Sequence, residues 1–174
     1  MTTEHPNGQT VIEQLAQYAT SESYEKLPPA AVNAARLAIL DTLGVTLAGS
    51  VEDTAVRARA LIAHRRSAEE ATIVGTSLRG CVEDAAFANG TASHALDYDD
   101  VQASLSGHPS APILSPTLAV GEHAGASGQD LITAFVVGVE IESKLGRAIN
   151  PSHYEVGWHA TATCGVFGAA AATS

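Results

Sequence analysis

Basic residues are scarce in this sequence. Nine Lys and Arg stand against nineteen Asp and Glu, so the formal net charge is −10. A field of that sign repels phosphate backbones and anionic membrane surfaces, and we therefore expect neither nucleic acid nor a membrane as a partner. An anionic substrate would need cations that are local to its site or that come from another segment.

Cysteines and targeting signals are scarce as well. Cys81 and Cys164 form neither a disulfide framework nor a CxxC metal pair, which fits a reducing cytoplasm, the compartment that we expect. The first residues have no basic region followed by an apolar one, so nothing there resembles a secretory signal. The apolar stretches around 112–121, 131–141 and 160–172 are each shorter than the ~20 residues that a membrane-spanning helix needs, and they indicate core helices.

Helical periodicity, in contrast, recurs along the chain. With 174 residues, of which 45% are hydrophobic and 16% charged, the chain can form one domain that buries roughly 70% of its unfolded surface. The stretches 10–13 and 127–130 are capping patterns that predict helix starts, and only 71–74 looks strand-like. We therefore predict an all-α fold, a multi-helix bundle over residues 1–174.

The stretch from Pro28-Pro29 to Gly49-Ser50 predicts the most apolar helix. Its apolar side chains cover all sides of the helix: Val32, Ala35, Leu37, Ile39, Leu40, Leu43, Val45 and Leu47. A helix that is apolar all round is expected to be buried. Residues 52–66 predict a more polar helix whose inward side chains are Ala55, Ala58, Leu61 and Ile62.

Six ionisable residues lie near the ends of predicted elements, where pKa values are most easily displaced. They are His94, Asp97, Asp99, Asp100, His108 and His159. The helix predicted over 82–96 runs directly into Asp97, and His94 and Asp97 are three apart, so on a helix they can share a face. The acids follow that helix, where they oppose its macrodipole at a cost of ~0.3–1 kcal/mol per exposed charge. Asx-turns into solvent would account for them, and so would a function that needs acids there.

Two of the histidines have a defined setting. His108 lies in a loop that Gly107 and Pro109 restrict, and His159 precedes an Ala-rich helix. An imidazole at a helix amino terminus can bind a carboxylate or pass a proton near neutral pH; the alternative for each is an ordinary surface histidine.

A divalent metal site is a second interpretation, since imidazole and carboxylate are ordinary ligands for Zn or Fe. No recognised ligand spacing occurs among its residues, which would be His94, Asp97, Asp99, Asp100 and His108.

Three segments carry a resemblance to a known family. They are Asn89-Gly90-Thr91-Ala92-Ser93-His94-Ala95-Leu96-Asp97-Tyr98-Asp99-Asp100, His108-Pro109-Ser110-Ala111-Pro112 and Gly157-Trp158-His159. Together they resemble the MmgE/PrpD family, and the resemblance extends over almost the whole chain through Asp41-Thr42-Leu43-Gly44 and Gly138-Val139-Glu140-Ile141. That family includes 2-methylcitrate dehydratase, cis-aconitate decarboxylase and an iminodisuccinate epimerase.

The resemblance implies a helical domain joined to a smaller α+β lid domain, with the active site between them and a homodimer as the common state. It implies neither a metal nor an organic cofactor. Because family members are much longer, we expect this chain to be the amino-terminal helical domain, truncated relative to the two-domain architecture. The lid domain, with the lysines and tyrosine that the family uses, is expected to be absent.

Site residues follow from the same motifs. Asp97, His108 and His159 correspond to the family's catalytic acid and histidines. A second group within the motifs is expected to bind the substrate: Asp99, Asp100 and Ser110. The family often has Thr after the two acids, whereas Val101 stands here and removes a hydroxyl that could hold a substrate carboxylate.

The implied chemistry is removal of water or carbon dioxide from a small di- or tricarboxylate, or a related epimerisation, by acid–base catalysis. Proton abstraction next to a carboxylate needs a base, and departure of hydroxide needs an acid. We assign His159 as the base and His108 as the acid, with Asp97 orienting one of them or the substrate; the reverse assignment of the histidines stays open. The other interpretation is an inactive helical fragment with a packing or dimerising role.

Overall fold

The computed structural model describes residues 8–65 and 67–174 and confirms the all-α fold. Within these residues eight α-helices follow one another: α1 Val11–Ser21, α2 Pro29–Gly49, α3 Asp53–Arg65, α4 Val82–Ser93, α5 Ser110–Ala124, α6 Gly128–Ile149, α7 Ser152–Glu155 and α8 Ala160–Ala172. Their one sheet pairs β1 (Ala71–Thr72) with β2 (Arg79–Gly80), antiparallel. β2 is not among the predicted elements, because two residues are too few to show alternation.

Both predicted capping boxes are present. The Thr10 hydroxyl accepts from the Glu13 amide at 3.3 Å, and the Glu13 carboxylate accepts from the Thr10 amide at 2.8 Å. Ser127 and Asp130 make the same exchange at the start of α6, at 3.2 and 2.9 Å. Each box satisfies amides that a helix start leaves free, so α1 and α6 begin where the sequence predicts.

The core that positions the site is the crossing of α6 and α8. A side chain at Gly138 would come within 2.9 Å of the Gly168 carbonyl oxygen, so the two helices touch backbone to backbone. Buried apolar side chains from α2, α5, α6 and α8 pack around this crossing: Ala35, Ile113, Leu114, Phe135 and Ala172. The crossing sets the amino end of α8 beside the loop between α4 and α5.

The prediction that α2 is buried all round is wrong. Leu37, Leu40 and Leu47 are 69%, 68% and 57% exposed. Its buried stripe includes Thr42 and Thr46, whose hydroxyls donate to carbonyl oxygens one turn back at 2.7 and 2.6 Å. A helix that is apolar on all sides does not indicate which side the other helices cover. In α2 they cover the side that carries the smaller side chains.

α2 is also, among the described residues, the one helix long and apolar enough by length and composition alone to cross a membrane. α2 is not one of the three uninterrupted apolar stretches named above, because Arg36 and Asp41 lie within it. A core helix passes the same test, and one side of α2 packs against α4, α5 and α6.

Smaller differences occur elsewhere. Leu61 of α3, predicted to point inward, is 50% exposed, whereas its predicted neighbours are buried: Ala55, Ala58 and Ile62. The segment after Pro151 contains the single-turn helix α7. Arg66 and residues 1–7 lie outside the described residues, so the predictions made for them stay predictions.

Candidate active site

The predicted acids follow an abrupt end of α4. α4 ends at Ser93, before the predicted end at 96, and Asp97 takes a left-handed backbone conformation with φ of 54°. That conformation is uncommon for a residue with a side chain, and it turns the chain away from the helix. A turn that closes with a 2.9 Å bond from the Gln102 amide to the Gly107 carbonyl then returns the chain to His108.

This turn places Asp99 between two imidazoles. The buried Asp99 carboxylate lies 2.8 and 3.0 Å from His94 Nδ1. His108 Nδ1 lies 3.5 Å from Asp99 Oδ2 and 3.3 Å from the Asp99 carbonyl oxygen. The two rings meet edge to face, with centroids 4.7 Å apart. Hydrogen bonds of this kind fix the orientation and tautomer of an imidazole, so the network is preorganised for proton transfer.

Asp97 pairs with His108 and not with its predicted partner His94. Asp97 Oδ1 lies 3.5 Å from His108 Nε2, whereas His94 Nδ1 is held by Asp99. The predicted pairing needs a continuous helix, and Asp97 lies beyond the end of α4. Because Nδ1 of His108 faces Asp99, its Nε2 is left to exchange a proton, beside an Asp97 side chain that is 76% exposed.

Asp100 is not part of this cluster and binds Ser110. Its two carboxylate oxygens accept from the Ser110 amide at 3.1 Å and from the Ser110 hydroxyl at 2.6 Å. The pair ties the loop to the first turn of α5, where Ser110 is fully buried. Asp100 also lines a groove of about 270 Å³ between α2 and α6, together with Phe135 and Val139. The expected substrate-binding role of Asp99, Asp100 and Ser110 stays a prediction.

His159, the third predicted catalytic residue, precedes α8 and is exposed. Its ring centroid lies 5.7 Å from that of Tyr154. Across the part of the chain that the structure describes, no hydrogen bond or ion pair joins His159 to Asp97 or His108. The connection is indirect, through Thr161 two residues later, whose hydroxyl accepts from the His108 amide at 3.0 Å.

Sequence reasoning missed Thr161. A side chain at Gly107 would come within 2.7 Å of the Thr161 hydroxyl, so the glycine leaves room for the contact. The contact joins positions 53 apart in the sequence, and a threonine in an Ala-rich helix carries no signal of its own. Only the glycine directly before His108 marks a close approach in the sequence.

An open groove runs from His94 to Thr161. It measures about 550 Å³, and its lining is mostly apolar, with Phe87, Thr91 and Pro112 among the contributing residues. A volume in the range of about 300–1,000 Å³ accommodates small-molecule ligands. The histidine network therefore borders a space in which a small substrate can lie.

The N-terminal domain of the MmgE/PrpD family matches residues 13–174. The chain belongs to the MmgE/PrpD family. The resemblance drawn from the motifs around Asp97, His108 and His159 is thereby confirmed.

The chain is also similar to curated proteins that are named for cis-aconitate decarboxylase. Human cis-aconitate decarboxylase is 32% identical over 142 residues, which are 78% of this chain and 29% of that protein. The mouse cis-aconitate decarboxylase is 31% identical over 142 residues, again 78% of this chain and 29% of that protein. The cis-aconitate decarboxylase-like protein oryM of Aspergillus oryzae is 26% identical over 97% of this chain and 36% of its own length. The chain thus spans about a third of the length of these relatives.

Four residues of this MmgE/PrpD domain could hold a metal ion. His94, Asp97, Asp99 and His108 each offer a ligand atom, and these atoms all lie within 4.8 Å of one another. Asp100, the fifth residue of the predicted metal set, is bound to Ser110 instead. Two imidazoles and two carboxylates form a donor set that suits Zn or Fe, although the same atoms already pair with each other.

The contact between the Thr161 hydroxyl and the His108 amide is expected to stabilise the fold. Thr161→Val keeps the shape but removes the acceptor of the His108 amide, and we expect a loss of about 1 kcal/mol in the free energy of unfolding. Urea unfolding followed by circular dichroism measures it. Thr133→Val on α6, where the hydroxyl donates only to its own helix, is the control and should cost less. Equal losses in both variants would contradict the support that Thr161 gives to His108.

Proposed function

We propose that this domain supplies the acid–base half of a lyase site that acts on a small di- or tricarboxylate. The observation that carries the proposal is the Asp99 carboxylate between His94 and His108: it leaves His108 Nε2 to exchange protons, and His94 of the same network lines a ligand-sized groove. The names of the relatives make decarboxylation of a tricarboxylate the first reaction to test. Dehydration of a 2-methylcitrate-like acid is the second, and epimerisation the third.

The chemistry needs one proton donor and, for dehydration, one base. In decarboxylation the bond to carbon dioxide breaks, its electron pair stays on the substrate carbon, and an acid delivers a proton to the electron-rich product. In dehydration a base removes the proton next to a carboxylate and an acid protonates the departing hydroxide. We assign His108 as the acid and His159 as the base, with Asp97 orienting His108 Nε2 at 3.5 Å.

The rest of the pocket is proposed to come from outside this chain. The charge of −10 opposes an anionic substrate, so the cations that hold it would lie on segments that the longer relatives carry beyond the matched third. Exposed apolar side chains on α2 and α8, such as Leu40 and Phe167, offer surfaces for such segments or for a second copy in a homodimer. We propose a cytoplasmic enzyme that needs no cofactor.

Product analysis tests the proposal. The complete enzyme, in which this domain is joined to its remaining segments, is incubated separately with cis-aconitate and 2-methylcitrate. Released carbon dioxide identifies a decarboxylase, and a new unsaturated acid without carbon dioxide identifies a dehydratase. Turnover of neither acid, nor of their close analogues, would favour the inactive packing domain.

The four ligand atoms within 4.8 Å favour a metal-dependent enzyme as a second candidate. Elemental analysis of the purified enzyme, together with activity in a chelator, separates the two candidates. We expect no stoichiometric Zn or Fe and full activity in the chelator. A bound metal whose removal abolishes turnover and whose return restores it would decide for the second candidate.

A further inference from the structure

Glu142 on α6 is a buried acid that the proposed mechanism does not use. Its exposure is 0%, and neither Oε1 nor Oε2 has a hydrogen-bond partner among the described residues. A carboxylate in that position would have lost its hydration without gaining a partner, which strongly disfavours the charged form. A neutral carboxylic acid avoids most of that cost.

The Glu142 side chain occupies a slot where α5, α6 and α8 meet. A side chain at Gly165 of α8 would come within 3.6 Å of Glu142 Oε2 and 2.8 Å of Pro112 on α5. One at Gly168 would come within 3.1 Å of the Glu142 Cβ. The two glycines thus make room for the acid at the contact that holds α8 in place.

Among the described residues, two titratable groups interact electrostatically with Glu142, and neither is a cation. Asp100 acts on it from the loop, and Cys164 lies opposite it on α8. Burial and, to a smaller extent, the negative charge of Asp100 raise the pKa of Glu142 to about 9. Burial also raises the pKa of the Cys164 thiol, and Glu142 adds to that effect. At neutral pH both buried groups are therefore uncharged.

We propose that Glu142 is a positioning residue for the candidate site, and that it acts as a neutral acid. A neutral Glu142 adds no negative charge beside Asp100, which accepts two hydrogen bonds from Ser110. It also lets α8 pack against α5 and α6, which keeps Thr161 in contact with His108. Ionisation of Glu142 would repel Asp100 and loosen both contacts. The positioning role rests on the proposed function, whereas the protonation of Glu142 and its effect on Ser110 and His108 need no substrate.

The protonation of buried Glu142 predicts the direction in which folding stability changes with pH. The unfolded chain releases the Glu142 proton near the ordinary value of 4.5, and the folded chain near 9. Between these values the folded state holds one proton more, so stability falls as pH rises through this window and stops falling above it. One proton corresponds to about a tenfold rise in the unfolding constant per pH unit.

The experiment compares urea unfolding of the wild-type chain, Glu142→Gln and the control Glu140→Gln from pH 5.5 to 8.5. Glu140 lies on the same helix but is half-exposed and pairs with Lys144. We expect the unfolding constant of the wild type and of Glu140→Gln to rise about tenfold per pH unit relative to that of Glu142→Gln. Parallel curves for the wild type and Glu142→Gln would overturn the proposal.

Amide NMR tests the positioning role itself. The Ser110 and His108 amide signals should shift between pH 8 and 10 in the wild type and stay fixed in Glu142→Gln; signals that move equally in both would overturn that role. Should Glu142→Gln not fold, the ¹³C carboxyl signal of wild-type Glu142 decides. A midpoint near 9 supports the neutral acid, and one near 4.5 overturns it. If the pH dependence of unfolding is observed but the complete enzyme turns over no carboxylate, the result contradicts the proposed function and leaves the role of Glu142 standing.

Discussion

Replacing His108 by Ala in the complete enzyme is expected to lower turnover by about 10²–10⁴-fold, the usual contribution of a positioned general acid or base. His108 is half of the network around Asp99, and its Nε2 faces Asp97 at 3.5 Å. An alanine there removes the proton donor without changing the Asp100–Ser110 anchor. For a dehydration, which needs a base as well as an acid, His159→Ala is expected to lower turnover by a similar factor.

His123→Ala is the matched control for these variants. His123 is an exposed histidine near the opposite end of α5, 3.8 Å from Glu70. It should keep full turnover. Turnover is measured from initial rates of product formation, and circular dichroism verifies that each variant is folded. Undiminished turnover in both His108→Ala and His159→Ala would contradict the acid–base assignment.

Gly168→Ala is expected to cost about 1–3 kcal/mol in the free energy of unfolding. The new Cβ would lie 2.6 Å from Ile113 Cδ1 and 2.7 Å from the Gly138 carbonyl oxygen. The isoleucine can rotate, but the carbonyl belongs to the α6 backbone, so α6 and α8 must move apart. Because α8 carries Thr161 and begins next to His159, the same variant should weaken the site in the complete enzyme.

Gly44→Ala on α2 is the control for this loss. Gly44 lies inside a helix, and a side chain there would meet nothing within 4 Å. We expect a gain of about 0.5–1 kcal/mol, because alanine favours helix over glycine. Urea unfolding followed by far-UV circular dichroism measures both variants. A Gly168→Ala variant as stable as the wild type would show that α6 and α8 do not cross at this distance.

The helix starts could be predicted because their signals are local. Thr10 with Glu13, and Ser127 with Asp130, each lie within one turn, and both capping boxes occur as predicted. The burial of α2 could not, because it depends on which side the other helices cover. Leu40 and Thr42 are two residues apart, yet the leucine is exposed and the threonine is buried.

The candidate site was predictable only where its residues are neighbours in sequence. Asp97 and Asp99 stand together in one motif, but after the left-handed turn at Asp97 both carboxylates lie beside His108, and Asp99 also binds His94. Nothing local indicates that His108 returns to Asp99 or that Thr161 supports it. Those contacts depend on the turn from 102 to 107 and on the crossing of α6 with α8.

We propose that His108 and His159 serve one carboxylate substrate although they do not touch each other. Histidine side-chain NMR of the complete enzyme, titrated with a non-reacting tricarboxylate, tests it most directly. We predict that the His94, His108 and His159 signals shift together at one saturation curve while those of His64 and His123 stay fixed. A tricarboxylate that binds without moving His108 and His159 would contradict the account.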